Sequence, residues 1–225
     1  MLPTALCAMN AGGCSKARMI MAAPPAVGSM VSNAVCVIFA LTYAVLAQRR
    51  SLAVSLGLAL LAWFGCAALT RLVDWSAASA ALLNAVVFPM AILAGRGFRA
   101  GGAISRVKLT AGDLVWRAGV VTLCVLVVTG VSAAIGSFAS GLFAFFPVAM
   151  GSYFVILHPR IGGPASASVA AHVLAPLIGL GLSLLAVHLL AEPIGVWWSY
   201  ATGLSIGIGW NAMLWGVRQW RRRPA

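Results

Sequence analysis

A chain of 225 residues that is 62% hydrophobic and 8% charged, with a mean hydropathy of +1.02, lies far from soluble globular composition, where about a quarter of residues are charged. A net charge of +12 would suit a nucleic-acid partner, but the basic residues sit in short clusters between apolar runs and line no face with aromatic partners, so none is expected. The solvent implied is the lipid bilayer, whose hydrocarbon layer of roughly 30 Å is spanned by a helix of about 20 apolar residues.

Residues 1–30 contain Pro, Gly and two basic residues but lack the basic start and long apolar region of a signal peptide. They read as a disordered segment, or as residues ahead of the true start, for which Met19, Met21 and Met30 are candidates. Seven apolar runs follow, at 31–47, 51–70, 75–94, 115–134, 137–157, 166–190 and 194–217. The first is short and gains length if it begins near Ala26. The expectation is an all-α, polytopic transmembrane bundle of about seven helices over residues 31–217, followed by a basic cytoplasmic tail at 218–225.

Lys and Arg are retained on the cytoplasmic side of a membrane, which orients the runs. Arg49 and Arg50 follow the first run, Arg96, Arg99, Arg106, Lys108 and Arg117 lie between the third and fourth, Arg160 follows the fifth, and Arg218, Arg221, Arg222 and Arg223 close the chain. This pattern places the N-terminus outside and the C-terminus in the cytoplasm. Arg71 is an exception, with Asp74 as its expected partner. Asp74 is also a candidate cap for a helix starting near Trp75. The Gly-rich basic loop at 95–113 sets topology and would face anionic lipid headgroups.

A single offset takes Cys66 to Cys124, Ser79 to Ser137, Phe88 to Phe146, Pro89 to Pro147 and Ala91 to Ala149. Each copy holds two runs, so the pattern predicts a parallel helix-pair repeat. Pro89 and Pro147 lack an N–H, which deprives the carbonyls of Ala85 and Phe143 of their usual donors and predicts kinks. Two readings stay open. The kinks frame a site for a small solute, with Asn84, Ala85, Pro89, Phe143, Pro147 and Asn211 as pathway residues, or they shape a dry packing surface in which Asn84 and Asn211 bond neighbouring helices.

No Asp or Glu lies deep in a run, so the usual carboxylate for proton or sodium coupling is missing. His172 and His188 share one run but stand about 24 Å apart along a helix, too far for a common metal. The five cysteines form no CxxC pair, and no metal, cofactor or disulfide is assigned. With no recognisable nucleophile and base, zinc motif or phosphate loop, an enzyme is not expected.

From about residue 137, "SGLFAFFPVAMGSYFVILHPRIGGPASASV" followed by two apolar runs resembles a group of small proteobacterial inner-membrane proteins, and is distantly similar to GlpM-type membrane proteins. In those a Gly-Leu-x-x-x-Phe-Pro helix precedes further membrane helices, and Gly141, Leu142, Phe146 and Pro147 match it here. The resemblance implies a bacterial inner-membrane location and carries over no catalytic residue. The earlier Phe88-Pro89 copy has Leu83 and Asn84 where the motif has Gly-Leu. The functional expectation is a permease-like protein for a small solute, with a non-transporting scaffold or accessory subunit as the alternative. Oligomeric state is left open.

Overall fold

The computed structural model describes residues 11–99 and 110–220. Among them are nine helical segments and no strand: α1 (Ala11–Ala47), α2 (Leu52–Thr70), α3 (Ala77–Ala94), α4 (Arg96–Arg99), α5 (Ala111–Ile135), α6 (Ser137–Ala144), α7 (Val148–Ile161), α8 (Gly163–Ile194) and α9 (Val196–Trp220). The protein is a helical bundle. Five stretches are long and apolar enough to cross a membrane, namely Pro25–Ala47, Leu52–Thr70, Ala77–Ala94, Ser137–Ile161 and Gly163–Ile194. The expected fourth and seventh runs are also helices, α5 and α9.

The run that looked shortest in the sequence is the centre of the bundle. α1 is helical well upstream of residue 31, and from Ala26 to Val37 every side chain is buried, including Ser29, Ser32 and Asn33. A helix buried on all sides must meet neighbours all round; α1 packs against α2, α3, α6 and α8. The boundary drawn at residue 30 therefore falls inside a continuous helix, and residues 25–30 belong to its packed part; residues 1–10 and 221–225 lie outside the described residues.

Close approach at α1 depends on absent side chains. A Cβ on Gly28 would strike the Phe138 carbonyl of α6, one on Gly141 would strike the Pro25 carbonyl, and one on Gly163 would strike the Ala47 carbonyl. The Ser29 hydroxyl donates to the Gly141 carbonyl at 3.0 Å. Small residues that bring backbones together supply the packing that lipid does not. The outer helices show the complementary pattern: Leu58, Leu61, Val86, Met90, Leu123, Leu126, Leu204 and Ile208 are exposed.

Three reversals are single glycines. Gly136 joins α5 to α6, Gly162 joins α7 to α8, and Gly195 joins α8 to α9, with φ of 82°, 78° and 83° and ψ of 164°, 166° and 161°. That region is open essentially only to glycine. Two other helix starts are capped by hydroxyls: Ser76 with Ser79 at α3, and Thr110 with Asp113 at α5. Asp74 is thus not the cap of the third span, because Ser76 occupies that position two residues later. Nor does Asp74 pair with Arg71: the one ion pair among the described residues joins Arg160 to Asp113, at 2.7 Å.

The two copies of the sequence repeat pack alike only in part: α3 and α6 both lie on α1, but α2 is also held by α1 whereas α5 packs on α6 and α7. Pro89 lies inside a continuous α3, while Pro147 stands at a break between α6 and α7.

Two outcomes follow from these joints. Replacing Gly162 with Ala costs about 1–3 kcal/mol of stability through backbone strain alone, since a Cβ there has nothing within 4 Å; Gly57→Ala, in an open position of α2, leaves stability unchanged or raised in the same unfolding assay. The second outcome concerns acid. The Arg160 guanidinium, then the Thr110 backbone and hydroxyl, hold the Asp113 carboxyl down from 3.8 to about 2, so this pair's contribution is complete above the unfolded value and lost as pH falls towards 2. Thermal unfolding of Asp113→Asn, compared with the parent between these limits, lacks that portion of the acid-dependent loss.

Candidate functional site

The polar centre of the bundle is an asparagine pair. Asn33 of α1 is 1% exposed, and its Nδ2 donates to Asn84 Oδ1 of α3 and to the Leu177 carbonyl of α8, both at 3.0 Å. Asn84 Nδ2 donates to the carbonyls of Met30 at 2.9 Å and Ala80 at 2.8 Å. One amide pair thereby ties three helices together in a setting where an unmet polar group is costly. Gly181 of α8 leaves room for it, since a Cβ there would lie 3.1 Å from Asn33 Nδ2 and 3.2 Å from Asn84 Oδ1. Asn33 Oδ1 alone in the pair is left without a hydrogen-bond partner.

Cavities flank the pair on both sides. On the α3 side, a groove of about 530 Å³ runs between α3 and α8, lined by Met30, Ala81, Asn84, Ala85, Pro89 and Leu182 among others. It is apolar apart from Asn84. On the other side a cavity of about 280 Å³ is lined by Asn33, Cys36, Cys124, Phe145, Pro147 and Leu177. Asn33 lines the second cavity while its partner Asn84 lines the first, so the pair forms a partition between them.

The smaller cavity exists because the chain is broken there. Phe146 N–H bonds back to the Phe143 carbonyl at 2.9 Å and Val148 N–H to the Phe146 carbonyl at 2.7 Å, tightening the turn before α7. The Phe143 carbonyl is therefore not orphaned by Pro147, contrary to the expectation from sequence. The exposed acceptor is the next but one, Phe145, which receives the Cys36 thiol at 3.2 Å. Two Phe rings of the break meet Trp63 of α2, which is fully buried and stands 5.0 Å from Phe146 and 5.9 Å from Phe143.

A third cavity, about 620 Å³, opens at the end of the bundle that holds Arg71 and Asp74, and is lined also by Val27, Ser76, Ala77, Ser137 and His188. Consecutive turns of the same three helices line it and the groove below: Val27 then Met30 on α1, Ala77 then Ala81 on α3, His188 then Leu185 on α8.

The predicted pathway residues do not converge on one site. Asn84, Ala85 and Pro89 share the α3–α8 groove; Pro147 lines the cavity across α1; Phe143 packs against Trp63. Asn211 is on the far side of α8, exposed, with its Nδ2 on the Gly207 carbonyl at 2.9 Å. α1 occupies the space in which the two Phe-Pro helices were expected to face each other. Asn33 is the functional candidate that sequence reading passed over, although an Asn beside Ser29 and Ser32 in an apolar run was the available signal. His172 bonds the Ser168 carbonyl of its own helix at 2.8 Å, and His158 meets the Tyr43 hydroxyl at 2.8 Å.

Compared with protein-family models, curated proteins and solved structures, the chain finds no match. The geometry stands on its own.

Asn84→Ala removes the acceptor of Asn33 and two donations to carbonyls, and costs about 1–2 kcal/mol in a reversible detergent-unfolding titration. Asn211→Ala, whose amide bonds only within its own helix, changes the same titration by less than about 0.5 kcal/mol.

Proposed function

We propose that this integral membrane protein is permease-like and conducts a small, largely apolar solute along α1, α3 and α8. The observation that carries the reading is the partition: two cavities on opposite sides of the Asn33–Asn84 pair. The wide cavity beside Arg71 and Asp74 serves as the mouth, the groove at Ala85 and Pro89 as the apolar section, and the cavity at the α6–α7 break as the inner compartment. A broken helix lining a cavity is a recurrent device in membrane carriers. The unpartnered Oδ1 of Asn33 gives the inner compartment an acceptor, and exchange of the Asn33–Asn84 bond for one to a passing ligand would open the route. With the three side-chain carboxylates of the chain at Asp74, Asp113 and Glu192, away from this centre, transport would be uncoupled.

The same reading places seven helices in a bacterial inner membrane with the N-terminus outside, because the basic residues cluster at one end and the C-terminal part resembles proteobacterial inner-membrane proteins. A scaffold or accessory subunit is the second reading, favoured by the tight backbone contacts of α1 at Gly28, Gly141 and Gly163.

Single cysteines at Ala77, Ala85 and Ala149, in a background without native cysteines, separate the two readings when membranes are treated from each side with a small impermeant thiol reagent. The expected result is labelling at position 77 from outside and at 149 from one side, with Asn84→Ala raising the rate at 149 from the opposite side several-fold. Protection of 85 and 149 in both backgrounds, with 77 reactive, establishes a dry bundle and sinks the permease reading.

A further inference from the structure

Among the described residues, Arg96, Arg99 and Arg218, at the end of the bundle away from the mouth, form no ion pair. Asp113 is already held by both terminal nitrogens of Arg160, at 2.7 and 2.8 Å. Asp74 lines the mouth at the opposite end. Glu192 lies in the last turn of α8, about 30 Å along that helix from Ala171, the residue whose carbonyl Arg99 touches. That exhausts the acidic side chains of the chain. Arg96 and Arg99 of α4 and Arg218 of α9 are thus without a carboxylate partner among the described residues.

Arg99 is set into the protein. Its Nη2 donates to the Ala171 carbonyl at 3.4 Å, its own carbonyl accepts from Ser168 Oγ at 3.3 Å, and its Nε is buried without a hydrogen-bond partner. Burial, and then the nearby charges of Arg218 and Arg96, push its guanidinium below the usual range. A cation cluster of this kind is destabilising until an anion joins it. The last turns of α3 and α9, which lead to Arg96 and carry Arg218, hold exposed apolar residues, Leu93, Trp215, Val217 and Trp220. Indole rings at the end of a span sit at headgroup depth.

We propose that Arg96, Arg99 and Arg218 bind the phosphate of an anionic phospholipid, whose acyl chains lie on the apolar surface below. The guanidinium fork matches phosphate oxygens in pairs, and the adjoining apolar surface selects a phosphate attached to a lipid over one free in solution. The bound lipid would join α4, α8 and α9 across an end of the bundle that carries like charges. This site is separate from the solute path, and neither stands or falls with the other.

The purified full-length protein is held in neutral detergent with phosphatidylglycerol and phosphatidylcholine in equal amounts, and the lipid retained per protein is measured by mass spectrometry, with the melting temperature followed in parallel. Phosphatidylglycerol is expected to be retained in preference and to raise the melting temperature, whereas inorganic phosphate is not. Arg99→Gln and Arg218→Gln should each lower its retention about fivefold, and Arg99→Lys, which keeps the charge, should lower it less. The paired change Arg49→Gln and Arg50→Gln, removing equal charge after α1, should leave retention as in the parent. Equal retention of the two lipids, undiminished retention in Arg96→Gln combined with Arg218→Gln, or an equal loss on changing Arg49 and Arg50 would each overturn the site. Stabilisation by inorganic phosphate alone, as large as that by phosphatidylglycerol, would overturn the lipid as its occupant.

Discussion

Four helices pack against α1, two of them, α6 and α8, at backbone distance, and this close approach constrains the rest of the bundle. In a bilayer the association of helices gains little from hiding apolar surface, because lipid tails offer equivalent surroundings. What remains is contact between close backbones and hydrogen bonds made inside. α1 supplies both: Gly28 and Pro25 meet α6, Ala47 meets Gly163 of α8, Ser29 bonds Gly141, and Asn33 bonds α3 and α8 together. A larger residue at any of these points would push a neighbour outward and leave a buried amide or hydroxyl unmet.

The same constraint explains where polar groups and charges lie. Ser29, Ser32 and Asn33 are inside, large aliphatic residues such as Leu61, Met90 and Leu123 are outside, and charges are confined to the two ends. One end joins Arg160 to Asp113 and carries Arg96, Arg99 and Arg218, which form no ion pair among the described residues; the other opens between Arg71 and Asp74. The Asn33–Asn84 pair lies between them, and polar chemistry and empty volume meet there in the apolar interior.

The two prolines show how context decides the effect of a local signal. Pro89 remains inside an unbroken α3, with the groove at Ala85 beside it, whereas at Pro147 the helix ends and restarts. The difference lies in the neighbours: Phe143 and Phe146 are drawn to Trp63, and the Phe145 carbonyl is drawn to Cys36. Phe88 instead packs with Val37, Ala40 and Leu174. Identical dipeptides thus produced a groove in one helix and a break in another.

Composition and hydropathy by themselves determined that the chain is a helical membrane bundle, because long runs such as 51–70 and 166–190 have no other stable state in lipid, where backbone groups must bond within their own helix. Apart from the start of α1 and the break at Pro147, helix ends were legible to within a few residues for the same reason. Sequence did not show that the shortest run is the central helix: span length reports bilayer thickness, whereas burial depends on which neighbours surround a helix. Asn84 was recognisable as a buried polar group, but its partner Asn33, distant in the chain, became so only once α1 and α3 were side by side. The single-glycine reversals at 136, 162 and 195 and the separation of Phe143, Pro147 and Asn211 from Asn84 were likewise settled by tertiary packing, since α1 fills the space between the two Phe-Pro helices and the sequence records no such intervening contact.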